Sequence, residues 1–175
     1  MEKLIRFNIG DAVRYGANGI CVVSDKIRRK FSGVNESYFV LSPVGERGSK
    51  IYVPETNSAL ISRIGPVPER ENIADALDHP ERVSEVWIND ESERNGRFRE
   101  MINSGTCETA IYILFGMLSN RNKRIKAGKS PRSADDILIN DIKKTVFGDM
   151  AYIFGITYNE AESLFNTKCP EAKGA

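Results

Sequence analysis

Between Phe7 and Pro66, short runs of β-branched and aromatic residues alternate with glycine-containing turns, and no other feature limits the possible folds as strongly. Asp11 to Tyr15 (DAVRY) and Gly19 to Ile27 (GICVVSDKI) flank Gly16-Ala17-Asn18-Gly19, whose residues tolerate positive φ, which is a hairpin signal. Tyr38 to Leu41 (YFVL) follows a loop containing Gly33 and Asn35, and Lys50 to Val53 (KIYV) follows Gly45 and Gly48 and stops at Pro54. Strands this short and evenly spaced predict a small barrel or sandwich rather than a βαβ unit. Val13, Ile20, Val22, Phe39, Leu41, Ile51 and Val53 are its expected core. At about sixty residues such a domain lies near the lower limit for independent folding.

Beyond Pro66-Val67-Pro68, which reads as the start of a linker, the period changes to helical. Asn72 to Leu77 predicts a turn or two of helix ended near Pro80. Glu81 to Asn103 predicts one or two helices, with Val83, Val86 and Trp87 and then Phe98, Met101 and Ile102 at helical spacing. After Ser104-Gly105 a strong face of Ala110, Ile111, Ile113, Leu114, Met117 and Leu118 runs on until Ala127-Gly128. Ser133 to Asp136 resembles a capping box, opening a helix with Ile137, Ile139, Ile142, Val146, Met150, Ile153 and Phe154 on one side. Thr157 to Glu160 is a regular capping box for a last helix ending near Phe165. The expected class is therefore α+β: a β-barrel over 1–66, a linker over 67–80, a helical bundle over 81–166 and a frayed tail over 167–175.

Composition narrows the function classes. The chain has 175 residues, 41% hydrophobic and 28% charged, with no apolar run near the ~18 residues of a membrane span and no signal-peptide core, so a cytoplasmic location is expected. Cys21, Cys107 and Cys169 have no CxxC spacing, which predicts neither a disulfide frame nor a metal site. His79 stands beside Pro80 with no ligand or nucleophile at a useful spacing, and Asp135-Asp136 is accounted for by a helix N-terminus. Gly128-Lys129-Ser130 lacks the strand and upstream glycine of a phosphate loop. No catalysis, cofactor or small-molecule substrate is expected. The net charge of +1 conceals an asymmetry: Pro66 to Glu93 holds nine acids against two bases, and Arg94 to Arg132 nine bases against two acids. These are local nets of −7 and +7, and the second is the electrostatic footprint of phosphate binding.

The stretches IGDAVRYGANGICVV, YFVL and IYVP resemble the RNA-polymerase-interacting domain, a small Tudor-like or SH3-like barrel, shared by CarD/CdnL-type bacterial transcription regulators and the transcription-repair coupling factor. The helical half, with SEVWINDESERNGRFREMINSG and LSNRNKRIKAGK, is similar to the CarD-like C-terminal domain. The resemblance implies a regulator that binds the RNA polymerase β subunit through the barrel and promoter DNA through the bundle, stabilising the open complex at the upstream edge of the bubble.

It also implies site residues. For the polymerase these are the edge strand Lys50 to Pro54 and its neighbour, with Tyr52 pointing outward beside Tyr38. The family often carries a basic residue where this chain has Tyr52, leaving Arg28, Arg29, Arg47 and Lys50 as substitutes. For DNA they are the cluster Arg121, Lys123, Arg124, Lys126 and Lys129 and a second set, Arg94, Arg97 and Arg99. Cations complementing a helix C-terminus and ordinary helix-surface ion pairs are the competing readings. Trp87 has two readings, a minor-groove wedge or a packed core residue, and it lies about a helical turn upstream of the family's wedge position. A protein-only adaptor, with a barrel that binds a partner and a bundle that does not bind DNA, remains the alternative.

Overall fold

The glycine turn at residues 16–19 closes the first hairpin: Gly16 and Gly19 take φ of 49° and 69°, which a side chain would strain. The computed structural model describes residues 7–31, 33–46 and 48–173, in two units divided between Val67 and Pro68. In the first unit, β1 (Ala12–Tyr15), β2 (Ile20–Phe31), β3 (Val34–Pro43), β4 (Ile51–Pro54) and β5 (Ile64–Gly65) form one antiparallel sheet in the order β4-β3-β2-β1-β5. A short helix, α1 (Ser58–Ile61), is capped by the Asn57 side chain. Among the described residues the order ends at β4 and β5, which leaves this barrel-like sheet two edges there.

Alternation places Val13, Tyr15, Cys21, Val23, Phe39, Leu41, Val53 and Ile64 in the core, with Ile51 packed against them. Val22, expected inside, is only half-buried because its neighbours Cys21 and Val23 take the inward positions. Ile20 is buried but lies outside this cluster. The strands also run further than their apolar runs. β2 and β3 pair through Phe31↔Val34, so the stretch expected as a loop around Gly33 and Asn35 is a hairpin carried by its backbone ladder.

The register of β2 slips between Val23 and Asp25: Val23 pairs with Leu41 and Asp25 with Val40. This β-bulge at Ser24 reverses the alternation in β2. Odd-numbered residues face the core before it and the opposite face after it. Asp25, Ile27, Arg29 and Phe31 thus share a face with Val40, Tyr38 and Glu36, while Lys26 and Arg28 share one with Phe39 and Ser37.

The second unit contains α2 (Arg70–Asp78), α3 (Glu91–Ser104), α4 (Cys107–Lys126), α5 (Ser133–Phe154) and α6 (Tyr158–Lys168). The expected linker is largely α2, whose Ile73, Ala76 and Leu77 recur at helical spacing and are buried in the helical core. A 3₁₀ segment, Pro80–Glu85, precedes α3, whose N-cap Asp90 accepts from the Ser92 N–H. α4 is buried along most of its length, from Cys107 to Ser119. α5 begins at Ser133 with Arg132 as N-cap and no side-chain cap. The capping box expected there does not form; Asp135 instead accepts from Asn95 and Asp136 binds Arg121. Ile137, expected on the apolar face, is 58% exposed because Leu138 occupies the inward position. The Thr157–Glu160 capping box forms in full.

The expected frayed tail is docked over 169–173. Cys169 and Ala172 are buried, and the Asn122 side-chain amide donates to the Glu171 and Lys173 carbonyls, both at 3.0 Å. Among the described residues no helix is long and apolar enough to cross a membrane.

Gly116, in the middle of α4, lets side chains approach the helix backbone closely: a Cβ there would lie 2.6 Å from Trp87 Cε3 and 2.8 Å from Val83 Cγ2. Gly116→Ala gains about 1 kcal/mol of helix propensity but overpacks by about 1–3 kcal/mol, so it should lower the helical unit's unfolding midpoint. A raised midpoint in urea unfolding would contradict the contact. Asn122→Ala removes two hydrogen bonds of about 0.5–1.5 kcal/mol each. Amide hydrogen exchange over 169–173 should accelerate; unchanged exchange would show that burial alone holds the segment.

Candidate functional site

The free edge of β4 is the first candidate. The Glu55 N–H donates to the Ser37 carbonyl at 2.9 Å, and the β3–β4 register pairs Phe39 with Val53 and Val40 with Tyr52. In an antiparallel ladder, residues that exchange bonds with the partner alternate with residues whose N–H and C=O point away. Tyr52 is therefore the β4 residue that turns both its backbone groups to the open edge. Pro54 fits for the same reason, since the nitrogen it cannot use as a donor also points off the sheet.

Side chains build a surface beside that edge. Tyr52 is 38% exposed and Phe31 39% exposed, with ring centroids 5.7 Å apart. Phe31 also meets Tyr38 edge-on at 5.0 Å. Tyr38, expected as an exposed contact, is only 6% exposed, and burial with the Glu36 carboxylate nearby raises its hydroxyl above the usual phenol range, keeping it neutral. The bulge separates the expected basic residues. Arg29 lies over the Phe31 ring at 5.6 Å, whereas Arg28 falls on the face of Phe39. Lys50 is exposed beside β4, and Arg47 lies outside the described residues. Phe31 was missed in the sequence because Lys-Ile-Arg-Arg-Lys before it hides the alternation.

In the helical unit the expected DNA-binding residues divide into two kinds. Arg94 is corrected to a structural residue: it is 4% exposed, Nε donates to the Ile88 carbonyl at 2.7 Å and Nη2 to that of Asn89 at 3.0 Å. Its guanidinium lies 4.6 Å from the centre of the Trp87 ring. Arg121 Nε binds Asp136 at 2.7 Å, Arg99 approaches Asp141 at 3.5 Å, and Arg124 Nη2 donates to the Ser130 carbonyl at 3.2 Å, closing the α4–α5 loop. Arg97, Lys123, Lys126 and Lys129 are exposed. Three of these four lie at the C-terminal end of α4 or in the following turn.

Trp87 packs inside the helical unit. It lies against Gly116 and 5.6 Å from Phe98, is half-buried, and lines a groove of about 620 Å³ with Val83, Phe115, Ser119, Lys123 and Pro170. Of its two readings, this placement agrees with packing.

Among the described residues, His79 and the cysteines are not brought together for chemistry. His79 contacts Asp75 on the surface, and the buried Cys169 thiol is pushed up to about 11 by desolvation, far from a reactive thiolate. Among the described residues, no group of three or more His, Cys, Asp or Glu could hold a metal ion.

Comparison with known proteins bears on the first unit. Residues 7–65 match the family model described as CarD-like/TRCF RID domain, which spans all five strands and ends at Gly65, two residues before the unit boundary. No curated protein matches the chain. Families of this domain are non-enzymatic in general. The N-terminal unit is therefore similar to the CarD-like/TRCF RID domain, which supports an RNA-polymerase-interacting, transcription-related protein.

Proposed function

We propose that this protein is a transcription regulator that docks on the β subunit of RNA polymerase through the free edge of β4 and holds promoter DNA through its helical unit, stabilising the open complex. The open N–H and C=O of Tyr52, within a domain of the polymerase-interacting family, carry the reading. An extended segment of the partner can add to such an edge, with main-chain bonds giving affinity and neighbouring side chains giving selectivity. Lys123, Lys126 and Lys129 support the DNA half, because exposed cations that displace condensed counterions bind duplex with little sequence preference.

One observation favours the adaptor reading as a second choice. Arg94, Arg99, Arg121 and Arg124 have partners within the helical unit, so the +7 region presents less free charge than its composition indicates.

The two halves have separate tests. Tyr52→Pro removes an N–H that the sheet does not use, so the domain should stay folded while capture of the polymerase β subunit is lost; Tyr52→Phe should retain it. Full capture by the proline variant would reject the edge. For DNA, replacing Lys123, Lys126 and Lys129 by Ala should weaken duplex binding and flatten the plot of log affinity against log salt by roughly 2.7, at about 0.9 per phosphate contact. Equal binding by parent and variant would leave the adaptor reading.

A further inference from the structure

The proposal that follows rests on polymerase docking at the β4 edge and concerns what that site selects. The face beside the edge is aromatic. Phe31, Tyr38 and Tyr52 come from three strands and meet as T-shaped pairs, at 5.0 Å for Phe31–Tyr38 and 5.7 Å for Phe31–Tyr52. Tyr38 and Val40 are 6% and 2% exposed although they lie outside the core cluster, and Val40 pairs directly with Tyr52. The outer face therefore has a small apolar layer of its own, and Phe31 and Tyr52 are its exposed rings.

A face of this kind fits an apolar side chain. A strand added at β4 would place alternate side chains on the side of Tyr52, about 5 Å from it across the ladder. Phe31, standing at the end of the β2–β3 hairpin, would be the wall that such a side chain meets. The charge on this face is mixed: Arg29 stands with Asp25 and Glu36, Lys26, Arg28 and Lys30 lie on the face of Phe39, and Lys50 is exposed beside β4.

We infer that Phe31 is a specificity-determining residue of the docking site, and that the polymerase segment it selects presents an apolar or aromatic side chain. In this arrangement the rings supply most of the affinity.

Binding of the whole chain to core RNA polymerase, measured at about 50 and about 500 mM salt, between which the Debye length shrinks from roughly 14 Å to roughly 4 Å, tests this with four variants. Phe31→Ala and Tyr52→Ala should each weaken binding by about tenfold, and the double variant by clearly less than the product, because each ring packs on the other. Phe31→Leu, which keeps apolar bulk at this half-exposed site, should lose only part of the affinity; circular dichroism of each variant checks folding. Parent affinity should fall less than about fivefold between the two salts. Unchanged affinity in folded Phe31→Ala, or a steep salt dependence that Phe31→Ala leaves alone, would overturn the aromatic selection while leaving polymerase docking in place. Failure of the parent to bind polymerase at either salt would overturn the docking itself, and this inference with it.

Discussion

The extra residue at Ser24 decides what the N-terminal unit shows to its surroundings. Up to Val23, β2 sends odd-numbered side chains into the core; after the bulge the same parity faces away from it. Without that shift Phe31 and Arg29 would lie on the side of Phe39 and Leu41, and the hairpin would present Lys30 and Arg28 beside Tyr52. A one-residue irregularity thus converts a basic margin into an aromatic one. The Ser24 hydroxyl, donating to the Val40 carbonyl at 3.1 Å, lies at the point where the register changes.

A comparable economy operates in the helical unit, where charged residues hold the architecture. Arg94 ties α3 to the Ile88-Asn89 segment and covers Trp87, while the two aspartates that open α5 are used by Asn95 and Arg121. Gly116 lets the Trp87 ring reach the α4 backbone. These contacts engage Arg94 and Arg121, while Lys123, Lys126 and Lys129 stay exposed. That division suits a nonspecific phosphate grip, because a lysine needs no fixed bidentate geometry to neutralise a phosphate.

Some of this was legible in the sequence, and the reasons are physical. The glycine turn at 16–19, the outward Tyr52 and the Thr157–Glu160 capping box are set by local rules of φ, period and cap chemistry, which a linear sequence carries. The bulge at Ser24 is not, because a slip in register depends on which residue of β3 lies opposite. The same limit applies to Arg94: its charge belongs to the basic block, and only the return of Ile88 and Asn89 towards α3 shows that its guanidinium is internal. A turn or two of α2 was legible over Asn72 to Leu77, but its acidic residues hid that Ile73, Ala76 and Leu77 belong to the helical core and not to a linker. The 169–173 segment was hidden because its anchor, Asn122, is 49 residues away from Glu171.

On the proposed reading, one chain combines a directional grip, made by a strand edge and a few rings, with a diffuse one made by exposed lysines. The first would select a protein with little dependence on salt; the second would be weak, salt-sensitive and useful only where DNA is already near. The most direct measurement is photocrosslinking within an assembled polymerase–promoter complex, with a photoreactive phenylalanine analogue placed at Tyr52 or at Lys126. The account predicts that the probe at 52 labels the polymerase β subunit and the probe at 126 labels duplex DNA. Labelling of DNA from 52, or of protein alone from 126, would contradict it.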